Sequence, residues 1–332
     1  MNANEFIISG ISIRETQVRR WLKSQNFKGE YLLVSTKQES VYFKKLVSLP
    51  AATKLIVDLY TPILLEKELT LSKWKPQDWL IRLRNKQMVK QFLKRGNHFL
   101  VANHRQREYW IKGSRNLGVS LRKEDISVLP TGGGNGTKNK KQKTKNERRK
   151  VILWFGGIYP WMNPLPLVEA FSRICREYPK WKLRFLGGFH PDTGYKDLYQ
   201  KVESMAKSKI PSDQLEFIPW QSEQNLTKFF LDAAVAIHLT KSSLEDYYAH
   251  RVRLLTLLEA GIPIITGGKD IVSDLITAHQ AGIRARSQEE LATILSRIMA
   301  NPKILDKWKL STKKIQNIFL RKEHDLVEWQ NI

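Results

Sequence analysis

The strongest constraint on the fold comes from one segment, residues 239–274, with the sequence LTKSSLEDYYAHRVRLLTLLEAGIPIITGGKDIVSD. It predicts a loop, a helix of about three turns over Tyr247–Ala260, a short strand over Ile262–Thr266 and a glycine turn that opens another helix. Gly261 suits the residue after a helix end, Pro263 cannot continue a helix, and the isoleucines are typical of a parallel strand buried on both faces. The segment therefore predicts an α/β unit with a parallel sheet.

The same segment has the features of an anion-binding site. Backbone N–H groups at Gly267 and Gly268 can approach a phosphate, and the helix that begins near Asp270 adds its positive dipole end. Arg251 and Arg253 precede this turn and supply positive charge. Because such units with surface arginines also occur in α/β proteins without a ligand there, a purely structural role is the alternative.

Further polar side chains are candidates for ligand contacts. Glu245 and Glu259 lie in the same segment and can accept hydrogen bonds from sugar hydroxyls. Asp58 ends an apolar strand in VDLYTP, where the carboxyl ends of parallel strands form a ligand crevice, or else it caps the next turn. Arg105 and Arg107 follow the strand HFLVAN and either face such a crevice or lie on a solvated helix face.

Short apolar strands alternate with helices along the whole chain, and this alternation predicts an α/β fold with crossover connections and parallel sheets. The pattern restarts after a break, so we expect two doubly wound domains, residues 1–130 and 150–332, separated by a basic linker at 131–149. The predicted strands are 6–12, 31–35, 54–59, 98–103, 150–155, 182–188, 214–220 and 234–239. The predicted helices are 14–24, 39–49, 79–94, one that begins near 164, 197–207, 225–232, 289–299 and 305–319.

The net charge of the chain indicates an anionic partner but does not distinguish among the classes of such partners. The formal net charge is +24, which fits a nucleic acid, an anionic membrane surface or a polyanionic substrate. Residues 131–150 hold eight Lys or Arg against one Glu and no hydrophobic residue, so they are predicted to form a solvated linker. Aromatic residues lie in apolar strands and helices rather than between basic residues, so no nucleic-acid partner is expected.

The single cysteine and the absence of targeting signals predict the compartment. Cys175 lies in an amphipathic helical stretch and is expected to be a buried small hydrophobe, without a disulfide. No signal peptide or membrane-spanning run is found in the sequence. We therefore expect a cytoplasmic protein, either soluble or peripheral at the inner face of the plasma membrane.

Several blocks of the chain resemble, in order, blocks of the GT-B glycosyltransferases of group 1, a type found in bacterial and archaeal surface-polysaccharide gene clusters. The blocks are LIVDLYTPILLE, HFLVANHRQREYW, WFGGIYPWMNPLPLVEAF, LRFLGGFHPDTG, FIPW and AAVAIHLTKSSLEDYYAHRVRLLTLLEAGIPIITGGKD. The resemblance implies two Rossmann-like domains facing across a cleft, with the acceptor on the N-terminal side and a nucleotide-sugar donor on the C-terminal side. It implies transfer with retention of anomeric configuration.

The resemblance also implies roles for individual residues. Glu245 would contact the donor sugar and act in catalysis with Arg251, Arg251 and Arg253 would face the diphosphate, and Glu259 would bind the ribose. The remaining donor-binding residues implied by the blocks and the glycine turn are Gly156, Gly157, Trp161, Asn163, His190, Gly267, Gly268 and Asp270. On the acceptor side the candidates remain Asp58, Arg105 and Arg107.

Some residues in these blocks also fit structural roles. Trp161 and Trp220 are alternatively core aromatics. His190, which precedes Pro191, is alternatively a turn histidine with its hydrogen bonds satisfied.

Three features depart from the family pattern. The position eight before Glu259, where related retaining enzymes carry another glutamate, is Arg251. Asn163 and His104 stand where an acidic residue is expected, and the first domain is short. These departures favour a second hypothesis, a non-catalytic or partner-dependent subunit of a glycosyltransferase complex.

The expected substrates are a nucleotide sugar and a glycan or polyprenyl-linked acceptor in cell-surface polysaccharide synthesis. No DxD-like motif stands at a strand end, so neither a metal ion nor a cofactor is expected. Arginines, backbone N–H groups and a helix N-terminus would instead meet the charge that develops on the diphosphate.

Overall fold

The computed structural model describes residues 7–8, 31–35, 54–59, 62–130, 150–188 and 195–321, with the backbone alone at 7–8, 31–35, 223–224 and 316–321. The predicted helices 14–24 and 39–49, the linker 131–149 and His190 lie outside the described residues. The chain divides into two compact units, Met1–Gly132 with Tyr248–His250 and Arg321–Ile332, and Gly133–Tyr247 with Arg251–Leu320. Among the described residues, no helix has both the length and the apolar character needed to cross a bilayer.

The first unit contains a parallel sheet whose described strands follow the chain order, β1-β2-β3-β4-β5. The strands are β1 Ile7–Ile8, β2 Tyr31–Ser35, β3 Lys54–Asp58, β4 His98–Val101 and β5 Ile126–Val128, and the helices are α1 Ile63–Thr70, α2 Pro76–Arg95 and α3 His104–Arg115. A doubly wound sheet reverses its strand order once. The described strands of this sheet show no reversal, so the doubly wound order predicted for both domains is seen only in the second unit.

Local sequence explains the elements of the first unit. β3 and β4 are apolar on both faces, as a parallel sheet covered by helices requires, and Val57 and Leu100 are fully buried. α3 begins after Asn103, whose side chain accepts a hydrogen bond from the N–H of Gln106 at 2.9 Å. Trp110 on α3 is buried against the sheet, and its Nε1 donates to the carbonyl of Leu59 at 3.2 Å.

The second unit contains a six-stranded parallel sheet in the order β11-β10-β9-β6-β7-β8. The strands are β6 Val151–Phe155, β7 Lys182–Leu186, β8 Leu215–Ile218, β9 Ala233–His238, β10 Ile264–Thr266 and β11 Gly282–Arg284. The helices are α4 Leu165–Ile174, α5 Lys196–Lys209, α6 Glu223–Asp232, α7 Leu244–Tyr248, α8 Val252–Glu259, α9 Ile271–Ala278, α10 Gln288–Ala300 and α11 Ile304–Arg321. The order reverses between β6 and β9, as in a doubly wound fold.

Helices cover both faces of the second sheet. Ile152 and Trp154 of β6 belong to one buried cluster, with α4, α5 and α10, whereas Leu153 belongs to another, with α8 and α9. Successive side chains of a strand point to opposite faces, so one strand supplies both clusters. The continuous apolar runs in the sequence follow from this double coverage.

The predicted single helix over Tyr247–Ala260 is wrong. The structure has two helices, α7 and α8, separated by residues 249–251. Arg251 is the residue before α8, with φ −81° and ψ 82°, outside the helical region. This break lets the Arg251 side chain reach back to Glu245 on α7, a contact that the sequence pattern does not reveal.

Candidate functional site

The candidate site lies at the carboxyl ends of β6 and β9, where the strand order of the second unit reverses. In open α/β sheets this position forms a crevice between neighbouring crossovers. Two loops that leave these strands are joined there by backbone hydrogen bonds. Asn163 donates to the carbonyl of Leu239 at 3.0 Å, and Lys241 donates to the carbonyl of Trp161 at 2.9 Å.

Glycines allow the backbone to approach closely at this crevice. Gly156, directly after β6, has φ +92°, and Gly187, directly after β7, has φ +116°. A Cβ on Gly187 would lie 3.1 Å from the Cα of Gly156, and a Cβ on Gly156 would lie 3.1 Å from the Cζ of Arg253. The predicted Gly156–Gly157 turn is therefore a place where only glycine fits beside an arginine.

Arg253, on the first turn of α8, lies directly over this glycine turn. Its Nη1 donates to the carbonyl oxygens of Phe155 and Gly157, each at 3.2 Å. All the hydrogen bonds found for its guanidinium within the described part of the chain come from Nη1, which leaves Nη2 and Nε as donors. The guanidinium is also 5.7 Å from the ring centroid of Tyr159, which stacks on Trp161 at 5.0 Å. Arg253 is thus held in place by Nη1, while Nη2 and Nε remain as donors for a ligand.

Arg253 keeps its positive charge at neutral pH despite its buried environment. Burial, with the positive charge of Arg251 acting in the same direction and Tyr159 and Glu245 opposing it, lowers the pKa of Arg253 to about 10. A guanidinium with this pKa is still protonated at neutral pH. Desolvation strengthens its attraction to an incoming anion.

Glu245 and Arg251 form a buried ion pair. The Arg251 nitrogens donate to the two Glu245 carboxylate oxygens at 2.9 and 2.7 Å, and Arg251 also lies 3.4 Å from Asp246. The side chains of Arg251 and Glu245 are only 8% and 2% exposed. Burial disfavours the charge, but Glu245, Asp270 and Asp246 outweigh it and raise the pKa of Arg251. The charge of Arg251 is therefore paired with neighbouring carboxylates, unlike that of Arg253.

The Gly267–Gly268 turn does not present the open backbone donors that the sequence predicts. Its N–H groups are already used: Gly267 donates to the carbonyl of His238 at 2.8 Å, and Gly268 donates to Thr266 Oγ1 at 3.0 Å. The next N–H, that of Lys269, donates to Asp246 Oδ2 at 2.9 Å. A phosphate cannot use these donors without displacing buried partners.

Asp270 caps helix α9 rather than facing an anion. Its side chain accepts from the N–H groups of Val272 and Ser273 at 3.0 Å and from Ser273 Oγ at 2.6 Å. Burial raises the pKa of Asp270 to about 6, against the opposing effect of Arg251. A carboxylate already occupies this helix N-terminus, so the predicted dipole site for phosphate is filled by the protein itself.

Two polar residues at the crevice were not singled out from the sequence. His238, the last residue of β9, is 2% exposed, and burial together with Arg253 and Arg251 lowers its pKa well below the usual range. Within the described part of the chain its Nε2 has no hydrogen-bond partner, and neither does Thr240 Oγ1. Their position at the carboxyl end of the predicted strand 234–239 is the sequence signal that could have identified them.

The remaining predicted residues occupy varied places. Glu259 is half-buried at the end of α8, and Trp220, after β8, is 49% exposed and lies against Gly187. In the first unit, Asp58 is buried at the end of β3, whereas two arginines, Arg105 and Arg107, are half-buried in the first turn of α3. No cluster of three or more His, Cys, Asp or Glu side chains suited to a metal ion occurs among the residues the structure describes.

Solved structures share this fold at low sequence identity. HepE of Anabaena, in complex with UDP and glucose, is 12% identical with a TM-score of 0.60, over 97% of this chain and 83% of that one. WaaG, a glycosyltransferase involved in lipopolysaccharide biosynthesis, is 14% identical with a TM-score of 0.61, over 99% and 84%. An E. coli structure described as trehalose-6-phosphate bound with UDP-2-fluoro glucose is 11% identical with a TM-score of 0.63, over 96% and 75%. The architecture is therefore the GT-B fold.

A family match assigns the chain more specifically. Residues 135–315, more than half of the chain, match the family described as Glycosyl transferases group 1. The protein belongs to the group 1 glycosyltransferases. No curated protein matches the chain. The family and fold that the sequence blocks implied are confirmed, and the protein is a transferase.

Proposed function

We propose that this glycosyltransferase moves a sugar from a nucleotide-sugar donor to a glycan or polyprenyl-linked acceptor in cell-surface polysaccharide synthesis. We further propose that transfer retains the anomeric configuration and needs neither a metal ion nor another cofactor. The acceptor would bind on the side of Asp58, Arg105 and Arg107, and the protein would work in the cytoplasm or at the inner face of the plasma membrane. The neighbours solved with UDP and glucose or with UDP-2-fluoro glucose support a nucleotide-sugar donor.

The observation that carries this proposal is the position of Arg253 over Gly156 and Gly157. A guanidinium with unused Nη2 and Nε donors lies at a glycine turn beside the strand-order reversal. The N–H of Gly157 also makes no hydrogen bond within the described part of the chain. Together these groups can donate charge-assisted hydrogen bonds to a diphosphate. The Nη2 and Nε atoms of the planar guanidinium can bind two phosphate oxygens at once.

In this mechanism the protein stabilises the leaving group. Negative charge builds on the diphosphate as the bond to the sugar breaks, and fixed donors in a desolvated site stabilise that charge without reorganisation. Arg253 and the Gly157 N–H would supply these donors. Glu259 at the end of α8 would accept from the ribose hydroxyls, and His238 Nε2 would contact a polar group of the bound donor.

A second candidate, a partner-dependent subunit, is favoured by the Glu245–Arg251 pair. Arg251 stands at the position where related retaining enzymes carry a glutamate, and its pairing occupies both carboxylate oxygens of Glu245. A carboxylate held in this way has reduced capacity to bind donor-sugar hydroxyls. Release of nucleoside diphosphate from a sugar nucleotide by the purified chain alone would argue against this candidate.

Ligand-dependent melting tests the proposed function. We expect one nucleoside diphosphate, among those of the common bases, to raise the melting temperature of the purified chain, and its sugar conjugates to do so as well. Nucleoside monophosphates should be weaker, because they lack part of the charge that Arg253 contacts. If no nucleoside diphosphate or sugar nucleotide shifts the melting temperature, and calorimetry detects no binding, the donor site is assigned wrongly.

A further inference from the structure

We propose that the corner between α1 and α2 of the first unit docks onto an anionic membrane surface. We call residues 73–86, which end the connection after α1 and begin α2, the α2 tip. This inference deepens the membrane location proposed above but does not depend on the donor chemistry. It rests on exposed apolar side chains, on the rigidity of the corner and on its charge.

The α2 tip exposes large apolar side chains. Trp74 is 92% exposed and Trp79 is 57% exposed, and Leu80, Ile81 and Leu83 are each at least 40% exposed. No side chain of residues 73–84 is buried, and burial on α2 begins only at Asn85. Large apolar side chains clustered in one exposed stretch mark a surface that meets another apolar phase.

Three apolar side chains of the tip that belong to α2 lie on the outer side of the helix, whereas Ile81 falls on the side of its buried face. Met88, Val89 and Phe92 bury one face of the helix in the core of the first unit. At 3.6 residues per turn, Leu80 and Leu83 fall on the opposite face, with Trp79 beside them. Further along α2 that same outer face is polar, with residues Gln87, Gln91 and Lys94. Only the tip is apolar on its solvent side, so core packing does not explain these residues.

The corner that presents these side chains is fixed by polar contacts. The N–H of Ser72 donates to Asp78 Oδ2 at 2.7 Å, and Arg82 donates to the carbonyls of Ser72 at 3.0 Å and Leu71 at 2.7 Å. Arg82 also lies 3.4 Å from Glu68 on α1. The exposed tryptophans therefore lie at a defined corner between two helices.

The charge of the α2 tip complements an anionic lipid surface. Five basic residues and one acidic residue lie within it, and Asp78, the acidic one, accepts a hydrogen bond from Ser72. The basic residues are Lys73, Lys75, Arg82, Arg84 and Lys86. Tryptophan and leucine beside lysine and arginine are the composition of surfaces that lie in the membrane interface, with apolar groups inserted and cations near headgroup phosphates. A second copy of this chain is the alternative occupant that the experiment separates from a membrane.

The test uses the full-length protein and vesicles of phosphatidylcholine, with or without phosphatidylglycerol. We expect co-sedimentation with the anionic vesicles, a blue shift of tryptophan fluorescence and quenching by brominated lipid. The variant W74S/W79S/L80S should lose about tenfold or more of the vesicle affinity, since it removes the inserted groups. The variant W74F/W79F should still bind but lose the quenching, which assigns the signal to these two residues.

Matched controls separate the tip from the overall charge. L310S truncates another leucine, 62% exposed on α11, and should bind vesicles like the parent. K73S/K75S should weaken binding to anionic vesicles more than K307S/K313S, a change of equal charge on α11. Circular dichroism and melting should be unchanged in all variants, because every substituted side chain is exposed.

Three outcomes would overturn the proposal. The first is equal binding of the parent and W74S/W79S/L80S. The second is binding without any quenching, which would assign attachment to charge elsewhere, such as the basic residues 131–149. The third is a parent that self-associates in sedimentation and does not bind vesicles, while the triple variant is monomeric. Vesicle binding needs no nucleotide, so these results are distinguishable from failure of the donor proposal.

Discussion

At the scale of single residues, Arg253 and Gly156 depend on each other. Gly156 has a positive φ, and a Cβ there would lie 3.1 Å from the Arg253 guanidinium carbon. The guanidinium of the neighbouring arginine, Arg251, is paired with the Glu245 carboxylate. One arginine is therefore structural and the other is placed to meet a ligand, although their sequence positions differ by only two.

We expect Arg253→Ala to weaken nucleoside diphosphate binding by about tenfold to a hundredfold, the loss of a charge-assisted contact worth about 1.5–3 kcal/mol. Binding of the free nucleoside should change little, because it has no diphosphate for the guanidinium to contact. Isothermal titration calorimetry measures both. Arg286→Ala, which truncates an exposed arginine after β11, is the matched control and should bind like the parent. Equal losses for nucleoside and diphosphate would place Arg253 away from the phosphates.

Asp270 should impose a pH dependence on stability. Burial raises its pKa to about 6 in the folded protein, above the value of about 3.9 in an unfolded chain. The folded state then holds a proton more tightly between about pH 4 and 6, so the free energy of unfolding falls as the pH rises through this window. The contribution is on the order of 2–3 kcal/mol.

Asp270→Asn should remove this fall while keeping an oxygen that caps α9. Asp270→Ala should instead lose stability at every pH, because it also removes the two capping hydrogen bonds. Denaturant unfolding from pH 4 to 8 measures both variants against the parent. A constant difference between the parent and Asp270→Asn over this range would contradict the assignment.

At the scale of elements, the break between α7 and α8 shapes the candidate site. The break at residues 249–251 brings Arg251 against Glu245 and leaves Arg253 on the first turn of α8. In an unbroken helix, Glu245 and Arg251 would lie at different heights along one helix axis, and their side chains would not meet in this way. The apolar period of α8 is strong, with Leu254, Leu255 and Leu258 buried, but it says nothing about where the helix starts.

We expect Arg251→Met to destabilise the second unit by about 3–5 kcal/mol, because it leaves Glu245 buried without its partner. The double variant Glu245→Leu/Arg251→Met should recover part of that loss, since it removes the unpaired charge of Glu245 while Asp246 still lacks its contact with Arg251. Chemical denaturation followed by fluorescence gives the free energies. A double variant no more stable than the single one would show that the pair does not account for the loss.

Glu259, at the end of α8, has a separate prediction. A negative charge near a helix C-terminus is unfavourable to the helix dipole, so a structural role explains it poorly. Glu259→Gln should weaken nucleoside diphosphate binding about tenfold or more through its ribose contact, with little change in melting temperature. If Glu259→Gln binds like the parent and melts much lower, the residue is structural.

At the scale of the whole molecule, each of the two units has its own buried core. One cluster surrounds β3, β4 and α2, and two others cover the two faces of the second sheet. All the residues that we assign to donor binding lie in the second unit, whereas the α2 tip lies in the first. Donor binding and membrane docking should therefore be separable by mutation.

Scanning calorimetry should show that a donor-site ligand affects the unfolding transitions of the two units differently. A nucleoside diphosphate at about a hundred times its Kd stabilises the state that binds it by about 2.7 kcal/mol. We expect the ligand to raise the unfolding transition of the second unit by several degrees and to leave the transition of the first unit nearly unchanged. The variant W74S/W79S/L80S should show the same ligand-dependent shift as the parent. An equal shift of both transitions would mean that the units unfold together.

The sequence by itself determined the class of fold and the family. Its apolar strands predicted β2, β4, β6, β7 and β9 closely, because a strand buried on both faces needs a continuous run of apolar residues. Helices α2, α5 and α10 were likewise predicted close to their observed bounds, because helix formation is favoured by residues that are neighbours along the chain. The family blocks gave the group 1 assignment that the comparisons confirm.

Only the tertiary structure decided which polar groups are free to bind a ligand. The Gly267–Gly268 turn has the sequence of a phosphate site, yet the carbonyl of His238 on the neighbouring strand β9 accepts from Gly267, and the hydroxyl of Thr266, the residue before the turn, accepts from Gly268. Arg251 and Arg253 look equivalent in sequence, and the carboxylate of Glu245 neutralises only Arg251. Hydrogen bonds and ion pairs join residues that folding brings together, so local pattern fixes the elements while long-range contacts determine which donors remain.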